Sequence, residues 1–130
     1  MNVTKKIGIW MDYTSAHVMS FSEQPKEIAV IESTFESKLK SKEKEKGEKH
    51  LHSLARQCKT DYFKKIASII LQYDKVLLFG PTNAKAELFN LLSEDHHFFK
   101  IKTYLKETGK MTLKQRNKVI HEHFASPMYK

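Results

Sequence analysis

The sequence predicts an α/β domain in which a three-stranded antiparallel meander is followed by alternating helices and strands, so that the sheet is mixed and five-stranded. Three observations predict this architecture. Short apolar runs follow one another closely in the first third of the chain. A long stretch then carries apolar residues every three or four positions, and an unbroken apolar run flanked by helical patterns comes next. The predicted order is β-β-β-loop-α-β-α-β-α.

The meander is predicted from three short runs that turn residues separate. Residues 6–12 are apolar and end in a turn cluster, residues 16–21 alternate between apolar and polar, and residues 27–33 are short and β-branched. Because connections this short join antiparallel neighbours, the three strands form one meander.

Residues 38–49 predict a flexible basic loop. The segment reads KLKSKEKEKGEK and holds one aliphatic residue, so it cannot bury enough apolar surface to offset the entropy lost on ordering. From residue 50 the pattern is helical to about residue 73. Its apolar stripe comprises Leu51, Leu54, Ala55, Cys58, Tyr62, Ile66, Ile69, Ile70 and Tyr73.

The second half of the chain alternates strands with helices. Residues 75–80 are typical of a buried parallel strand, and residues 80–83 open a second helix. Residues 98–105 predict the last strand.

A third helix is predicted from Leu113 to about residue 124. Thr112 and Gln115 have the spacing of a capping box, in which each side chain satisfies a free amide at the helix start. The helical pattern turns Leu113, Ile120 and Phe124 inward and leaves Lys114, Arg116 and Lys118 nearer the solvent.

The composition limits the class of protein. A chain of 130 residues and 15.2 kDa fits a single domain, 1–130. The single cysteine, Cys58, excludes an internal disulfide and a multi-cysteine metal site, and it favours a reducing, cytoplasmic location. No apolar run reaches the roughly 18 residues that cross a bilayer, so no membrane partner is predicted.

Positive charge is concentrated in two parts of the chain. Of the formal net charge of +8, residues 38–49 contribute +3 and residues 100–130 contribute +6, while residues 1–37 carry −2. Such a distribution attracts polyanions, of which nucleic acid is the obvious one. The alternative is a basic surface that is merely solvated.

For the other residues that could bind a ligand or catalyse a reaction, the sequence favours structural roles. Residues 80–83 lead into a helix N-terminus, which can receive a phosphate, but they lack the lysine and further glycines of a P-loop. Cys58 lies on the apolar stripe, where burial disfavours the thiolate. The paired histidines have no cysteine partners and no metal-protease spacing; they are His50 with His52, His96 with His97, and His121 with His123.

Three short sequence segments resemble those of a known family. Residues 76–81, which read VLLFGP, precede a helix with the pattern Ala-Lys-x-Glu-Leu-Phe. Together they resemble the middle domain of archaeal and eukaryotic peptide-chain release factors and of its bacterial relatives, often described as translational machinery or host-attachment proteins. Residues 7–12, which read IGIWMD, are similar to small stand-alone domains of this kind in bacteria.

The resemblance implies a ribonuclease H-like fold of the type found in translational components. In release factors, the loop between the third strand and the long helix carries a Gly-Gly-Gln tripeptide that places water at the peptidyl-tRNA ester. The matching loop here, residues 38–49, has Gly47-Glu48-Lys49 and no Gly-Gly-Gln. The hydrolytic activity is therefore not expected, and the chain is similar to rescue-factor relatives that keep the domain without the tripeptide.

In ribonuclease H-like folds, an acid on the first strand commonly holds a catalytic metal, and the matching acid here is Asp12. Such a metal needs several carboxylates. Residues 80–82 stand at the partner position, however, and the spacing of Glu32, Asp61 and Asp74 assembles no site. We expect Asp12 to form a turn by bonding its own backbone.

The leading hypothesis is a non-catalytic module that binds ribosomal or other structured RNA through phosphate contacts, with no cofactor and no metal. A second hypothesis is a protein-binding or homo-oligomeric module that uses an exposed sheet edge or the Phe98-Phe99 pair. A third is a metal-dependent nuclease that uses Asp12. The expected RNA contacts are Lys40, Lys42, Lys44, Lys46, Lys49, Arg56, Lys110, Lys114, Arg116 and Lys118.

Overall fold

A computed structural model describes residues 4–21, 26–35 and 48–125, without the side chains of residues 48–50. The strands are β1 (Lys6–Met11), β2 (Ser15–Ser20), β3 (Glu27–Glu32), β4 (Lys75–Gly80) and β5 (Lys102–Glu107). The helices are α1 (Glu48–Ile70), α2 (Ala84–Ser93) and α3 (Leu113–Ala125), and a 3-10 turn (His96–Phe98) lies between α2 and β5. The predicted order of elements is confirmed.

The five strands form one mixed sheet in the order β3-β2-β1-β4-β5. β2 pairs antiparallel with β1 and with β3, which confirms the predicted meander, whereas β4 and β5 run parallel to β1. β1, β4 and β5 therefore end on the same side of the sheet, at Met11, Gly80 and Glu107. We call this side the carboxyl edge.

Helices cover both faces of the sheet. Successive strand residues point to opposite faces, so Ile9 and Met11 belong to the core under α1 and α2, while Trp10 belongs to the core under α3. α3 packs closest to β1 at Gly8, where a Cβ atom would overlap Cγ1 and Cδ1 of Ile120. The missing side chain at Gly8 is thus what allows α3 to approach the sheet.

α1 is longer than the sheet that it covers. Its 23 residues span about 34 Å at 1.5 Å per residue, whereas a six-residue strand spans about 20 Å. Tyr62, beyond the middle of α1, donates its hydroxyl to the carbonyl oxygen of Asp12 at 2.8 Å, just past the end of β1. The amino-terminal half of α1 therefore projects beyond the carboxyl edge.

Several boundaries differ from the sequence-based prediction: α1 ends at Ile70 and not at about residue 73, and β5 extends to Glu107. The last strand begins at Lys102 and not at residue 98, because Phe98 belongs to the 3-10 turn, where its ring is buried in the core. Of the predicted basic loop, residues 38–47 lie outside the described residues, whereas residues 48 and 49 already belong to α1.

The start of α3 shows one prediction confirmed and one wrong. The capping box forms, since the N–H of Thr112 donates to Gln115 Oε1 at 2.9 Å and the N–H of Gln115 donates to Thr112 Oγ1 at 3.2 Å. Leu113, however, is 46% exposed and does not face inward. Leu113 precedes Ile120 by seven residues, or about 10 Å along the helix. It therefore lies near the end of β1, where the sheet no longer covers its side chain.

Candidate nucleic-acid interface

The carboxyl edge brings three connections together. Residues 12–14 follow β1, residues 81–83 follow β4, residues 108–112 follow β5, and the projecting half of α1 lies beside them. In open α/β sheets, ligands bind outside the carboxyl ends of the parallel strands. This edge is therefore the candidate site.

Asp12 closes the turn after β1. Its Oδ1 accepts hydrogen bonds from the N–H of Thr14 at 2.8 Å, the hydroxyl of Thr14 at 2.8 Å and the N–H of Ser15 at 3.0 Å. Burial raises the pKa of this carboxyl, but the bonds from Ser15 and Thr14 outweigh burial and hold the pKa below its ordinary value of 3.8. The prediction that Asp12 forms a turn is confirmed.

In the part of the chain that the structure describes, Asp12 belongs to no group of three or more metal-ligating side chains. Asp74 lies at the opposite edge of the sheet, where its Oδ2 accepts the N–H of Lys5 at 2.7 Å. Among described residues, the only group of three metal-ligating side chains comes just before β5, also at that opposite edge; it comprises Asp95, His96 and His97. The structure thus gives the nuclease hypothesis no carboxylate set around Asp12.

The connection from β4 to α2 is held by bonds within the protein. Gly80 has a φ of 145°, a region that favours glycine, and a Cβ there would overlap the carbonyl oxygen of Met11. Thr82 Oγ1 accepts the first N–H of α2 at 3.2 Å. Lys85 is only 5% exposed, and its Nζ donates to Thr82 O at 2.6 Å and to Glu107 Oε1 at 2.7 Å. These bonds favour a structural role for residues 80–83 over a phosphate loop.

A cleft of about 350 Å³ opens at the carboxyl edge between α1 and α2, and we call it the α1–α2 cleft. Inside it, Lys59 Nζ lies 2.8 Å from Glu87 Oε1, and the hydroxyl of Tyr13 donates to Glu87 Oε2. The cleft is lined by Tyr13, His52, Ala55, Arg56, Lys59 and Glu87.

The charge state of the α1–α2 cleft follows from these contacts. The hydrogen bonds from Lys59 and then Tyr13 lower the pKa of Glu87. Burial first, and then Glu87, raise the pKa of Tyr13 to about 12. At neutral pH, Glu87 is therefore ionised and Tyr13 is neutral. Since Arg56 and Lys59 are both cationic, the cleft keeps one more positive than negative charge.

Three of the predicted RNA contacts stand exposed at the carboxyl edge. Arg56 lines the α1–α2 cleft, Lys110 follows β5, and Lys114 lies in the first turn of α3. Among the described residues, no carboxylate lies within ion-pair distance of any of the three. Their charges are therefore available to an external anion.

The structure describes some of the other predicted RNA contacts fully, some in part and some not at all. Lys118 is exposed, but its Nζ lies 4.0 Å from Glu122 one turn later, so its charge is partly offset. Lys49 lies in the first turn of α1, with its side chain undescribed. The remaining loop lysines, outside the described residues, are Lys40, Lys42, Lys44 and Lys46.

Arg116 does not face the solvent, so the prediction that it lies on the solvent side of α3 is wrong, while its role as an RNA contact stays a prediction. Its guanidinium carbon lies 5.2 Å from the centre of the Trp10 ring, and Nη1 lies 3.7 Å from Glu27 Oε1. Glu27 Oε1 also lies 2.6 Å from Nδ1 of His17. Because α3 is the one helix on this face among the described residues, the arginine extends sideways onto the neighbouring strands and is 15% exposed.

Sequence reasoning named Arg56 as an anion contact but missed His52 and Lys59, which lie beside it in the α1–α2 cleft. His52, Arg56 and Lys59 recur at intervals of four and three, which places them on one face of α1. That spacing was a usable signal. Tyr13 and Glu87 join them through tertiary contacts between distant parts of the chain, for which the sequence holds no local signal.

Two other predictions concern single side chains. Cys58 is buried as predicted, with 1% exposure, and the hydroxyl of Thr34 lies 3.7 Å from its Sγ. The Phe98-Phe99 pair is split, because Phe98 is in the core and Phe99 is 68% exposed.

The fold defined above is shared with Pelota proteins of known structure. The Pelota protein of Thermoplasma acidophilum matches 97% of this chain with a TM-score of 0.62 at 13% sequence identity, and the match covers 33% of that protein's chain. Pelota from Archaeoglobus fulgidus matches 94% with a TM-score of 0.61 at 11% identity, covering 32% of that chain. At such identities the likeness shows the fold alone.

The chain spans about a third of the length of these Pelota structures. No known protein-family model and no curated protein matches its sequence. None of the helices in the described ranges is both long and apolar enough to cross a membrane.

Proposed function

We propose that this chain is a non-catalytic module that binds structured RNA, ribosomal RNA first, through the carboxyl edge. One observation carries the proposal: Arg56, Lys110 and Lys114 stand exposed at this edge without an acidic partner among the described residues. Phosphates are the ligands that such free cations attract, and they release condensed counterions when bound.

The lysine-rich segment joins the chain at the same end of the molecule. β3 runs parallel to β1, so it also ends at the carboxyl edge, and α1 begins beyond that edge. Residues 38–47, which lie outside the described residues, fall between β3 and α1 in the sequence and carry five lysines. We propose that these lysines add to the positive charge that binds RNA.

The arrangement favours contacts to the RNA backbone over contacts to bases. Arg56 lies on the α1 side of the sheet and Lys114 on the α3 side, so an RNA that touches both must cross the end of the sheet. Lysines and arginines spread over such a surface neutralise phosphates without reading sequence. Binding should therefore tolerate sequence changes and weaken steeply with salt.

The α1–α2 cleft suits a single unpaired nucleotide. Tyr13 is 39% exposed, and an aromatic ring in this position can stack on a base. Arg56 and His52 would hold the phosphate, because the ionised Glu87 repels it from the side of Lys59. The loops and bulges of a structured RNA supply such nucleotides.

The fold supports a partner in translation. Its solved counterparts are Pelota proteins, and the sequence resembles release-factor middle domains. We propose that the chain is a small bacterial relative of those domains without Gly-Gly-Gln, and that it acts in the cytoplasm without hydrolysing peptidyl-tRNA.

A matched pair of charge reversals on α1 tests the RNA surface. Arg56→Glu and Lys65→Glu both change an exposed residue of the same helix, but the two lie nine residues apart, on opposite sides of the helix and about 14 Å apart along it. In filter binding to ribosomal RNA at low salt, we expect Arg56→Glu to weaken affinity about tenfold or more and Lys65→Glu to change it by less than about threefold. Equal effects of the two substitutions would contradict the proposal.

The ribosomal partner needs a separate measurement. In a sucrose gradient of a lysate from the source cell, the native protein should travel with ribosomal subunits at low salt and leave them at high salt. A protein that remains at the top of the gradient at every salt concentration, while still binding purified RNA, would exclude the ribosome and retain RNA binding.

Association with a protein, or with a second copy, is the second candidate. Leu71, Leu91 and Phe99 are 49%, 41% and 68% exposed at the end of the sheet opposite the carboxyl edge. Leu71 and Leu91 border a mainly apolar groove of about 510 Å³. Light scattering should then give a dimeric mass that Phe99→Ser lowers, whereas a monomeric mass at all concentrations would count against self-association.

A further inference from the structure

Three side chains with metal-binding atoms converge outside the RNA surface. Asp95, His96 and His97 are consecutive, and they form the start of the 3-10 turn between α2 and β5. Their candidate ligand atoms, one from each residue, all lie within 4.8 Å of one another. The turn precedes β5, so this cluster lies at the opposite end of the sheet from the carboxyl edge.

The turn holds the three side chains together. The N–H of His97 donates to Asp95 Oδ1 at 3.0 Å, and Nδ1 of the same histidine lies 2.7 Å from that oxygen. The ring centres of His96 and His97 are 4.2 Å apart, and the ring planes are inclined by 31°. Two imidazoles and one carboxylate are thereby gathered on one turn of backbone.

The spacing is close to what a transition metal requires. Metal–nitrogen bonds of about 2.0–2.1 Å in a tetrahedral site place neighbouring ligand atoms about 3.3 Å apart. No separation in the cluster exceeds 4.8 Å, so the side chains need to close by about 1.5 Å at most. Both imidazoles are exposed, which leaves their rotamers free to make this adjustment.

The ligand set selects the kind of cation. Imidazole nitrogens suit Zn²⁺, Co²⁺, Ni²⁺ and Cu²⁺, whereas Mg²⁺ and Ca²⁺ prefer oxygen ligands throughout. The backbone bond from His97 and then its ring lower the pKa of the Asp95 carboxyl, so this ligand is ionised at neutral pH. Lys64 and Glu94 line the adjoining groove with Asp95 and His97, and their opposite charges offset each other there.

We infer that Asp95, His96 and His97 form a surface site for a divalent transition-metal ion, with water in the remaining coordination positions. The site is independent of the proposed RNA surface. Binding replaces the hydrogen bond between Asp95 and the His97 ring with two bonds to the ion, while the backbone N–H of His97 continues to orient the carboxylate.

Titration of the untagged protein with Co²⁺ tests this site, because Co²⁺ bound by imidazole has a visible absorption that reports coordination. Zn²⁺ should then displace it with a stoichiometry of one ion per chain. We expect His96→Ala and His97→Ala each to weaken Co²⁺ affinity about tenfold or more, since each removes one ligand.

The matched control is His121→Ala, which removes an exposed histidine of α3 at a distance in sequence. It should leave Co²⁺ affinity within about twofold of the parent, since it takes no ligand from the site. The far-ultraviolet circular dichroism of all variants should match the parent, because the substituted rings are exposed. Failure of Co²⁺ to bind saturably, an unchanged affinity in the His96→Ala/His97→Ala double variant, or an equal loss in His121→Ala would each overturn the inference.

Discussion

The contact between Gly8 and Ile120 allows the packing of α3 on the sheet to be tested quantitatively. Gly8 does not have a positive φ; among the described residues, Gly80 is the one glycine that does. If no clash occurred, Gly8→Ala should therefore stabilise the protein by about 0.4–1 kcal/mol, because alanine lowers the conformational entropy of the unfolded chain. The new Cβ would, however, overlap Cγ1 and Cδ1 of Ile120, which is fully buried. We expect a net loss of about 1–3 kcal/mol, the usual cost of overpacking a core.

Ile120→Ala removes the two atoms that cause the clash. Alone, it should cost about 2–5 kcal/mol, because it leaves a cavity in the core under α3. In the double variant, the Cβ at position 8 lies 3.4 Å from the Cβ at position 120, an ordinary van der Waals contact. The added methyl group then fills part of the cavity, so the two losses should fall short of additivity by about 1–3 kcal/mol.

Urea unfolding of the four proteins measures this coupling. Trp10 is the single tryptophan and lies in the same core cluster as Ile120, so its fluorescence reports the packing directly, and circular dichroism provides an independent probe. Losses that add to within about 0.3 kcal/mol would refute the close approach of α3 to β1 at Gly8.

Three further substitutions have defined outcomes. Gly80→Ala should cost about 2 kcal/mol or more in urea unfolding, because the residue has a φ of 145° and its Cβ would overlap the Met11 carbonyl; a loss below about 0.5 kcal/mol would contradict that geometry. Asp12→Ala should cost about 1 kcal/mol at pH 7. The pKa of Asp12 in the folded protein lies below the ordinary 3.8. Its stabilising contribution is therefore complete above pH 3.8 and is lost as the pH falls through the folded pKa. A difference in unfolding free energy between Asp12→Ala and the parent that does not change with pH would contradict this contribution. Arg116→Ala should cost about 1 kcal/mol and shift Trp10 emission, while RNA affinity stays unchanged; a tenfold loss of affinity would instead show that the arginine contacts RNA.

Local patterns predicted most of the fold. The apolar stripe of α1, the buried run of β4 and the capping box of α3 are signals that a few neighbouring residues carry by themselves. Each leads to a local structure that the tertiary environment reinforces: Tyr62 and Cys58 of the stripe are both buried, and Thr112 and Gln115 exchange both bonds. The predicted element order followed from these signals.

The predictions that failed depend on where an element ends relative to its neighbours. On a helical wheel of α3, Leu113 points inward, but it lies at the end of β1 and is about half exposed. Arg116 has a solvent-facing position on the wheel, yet it extends to Trp10, because α3 is the one helix on this face among the described residues. Phe98 continues an apolar run that resembles a strand, while Asp95 starts a turn that buries its ring. Helical or strand periodicity holds no information about such neighbours.

The candidate site was predictable in its charge but not in its geometry. Lys110 and Lys114 belong to the basic last quarter of the chain, whereas Arg56 lies outside both basic segments. The structure brings all three to the carboxyl edge. Tyr13 and Glu87 are far apart in the sequence, and only the parallel arrangement of β1 and β4 sets them at the same cleft.

The most direct test of RNA binding at the carboxyl edge is the salt dependence of affinity in a triple variant, Arg56→Ala/Lys110→Ala/Lys114→Ala. Each phosphate contact contributes roughly 0.7–0.9 to the slope of log affinity against log salt concentration. The triple variant should therefore lower the slope for ribosomal RNA by about 2 to 3, while Lys65→Ala leaves it unchanged. A slope equal to that of the parent protein would contradict binding of RNA at this edge.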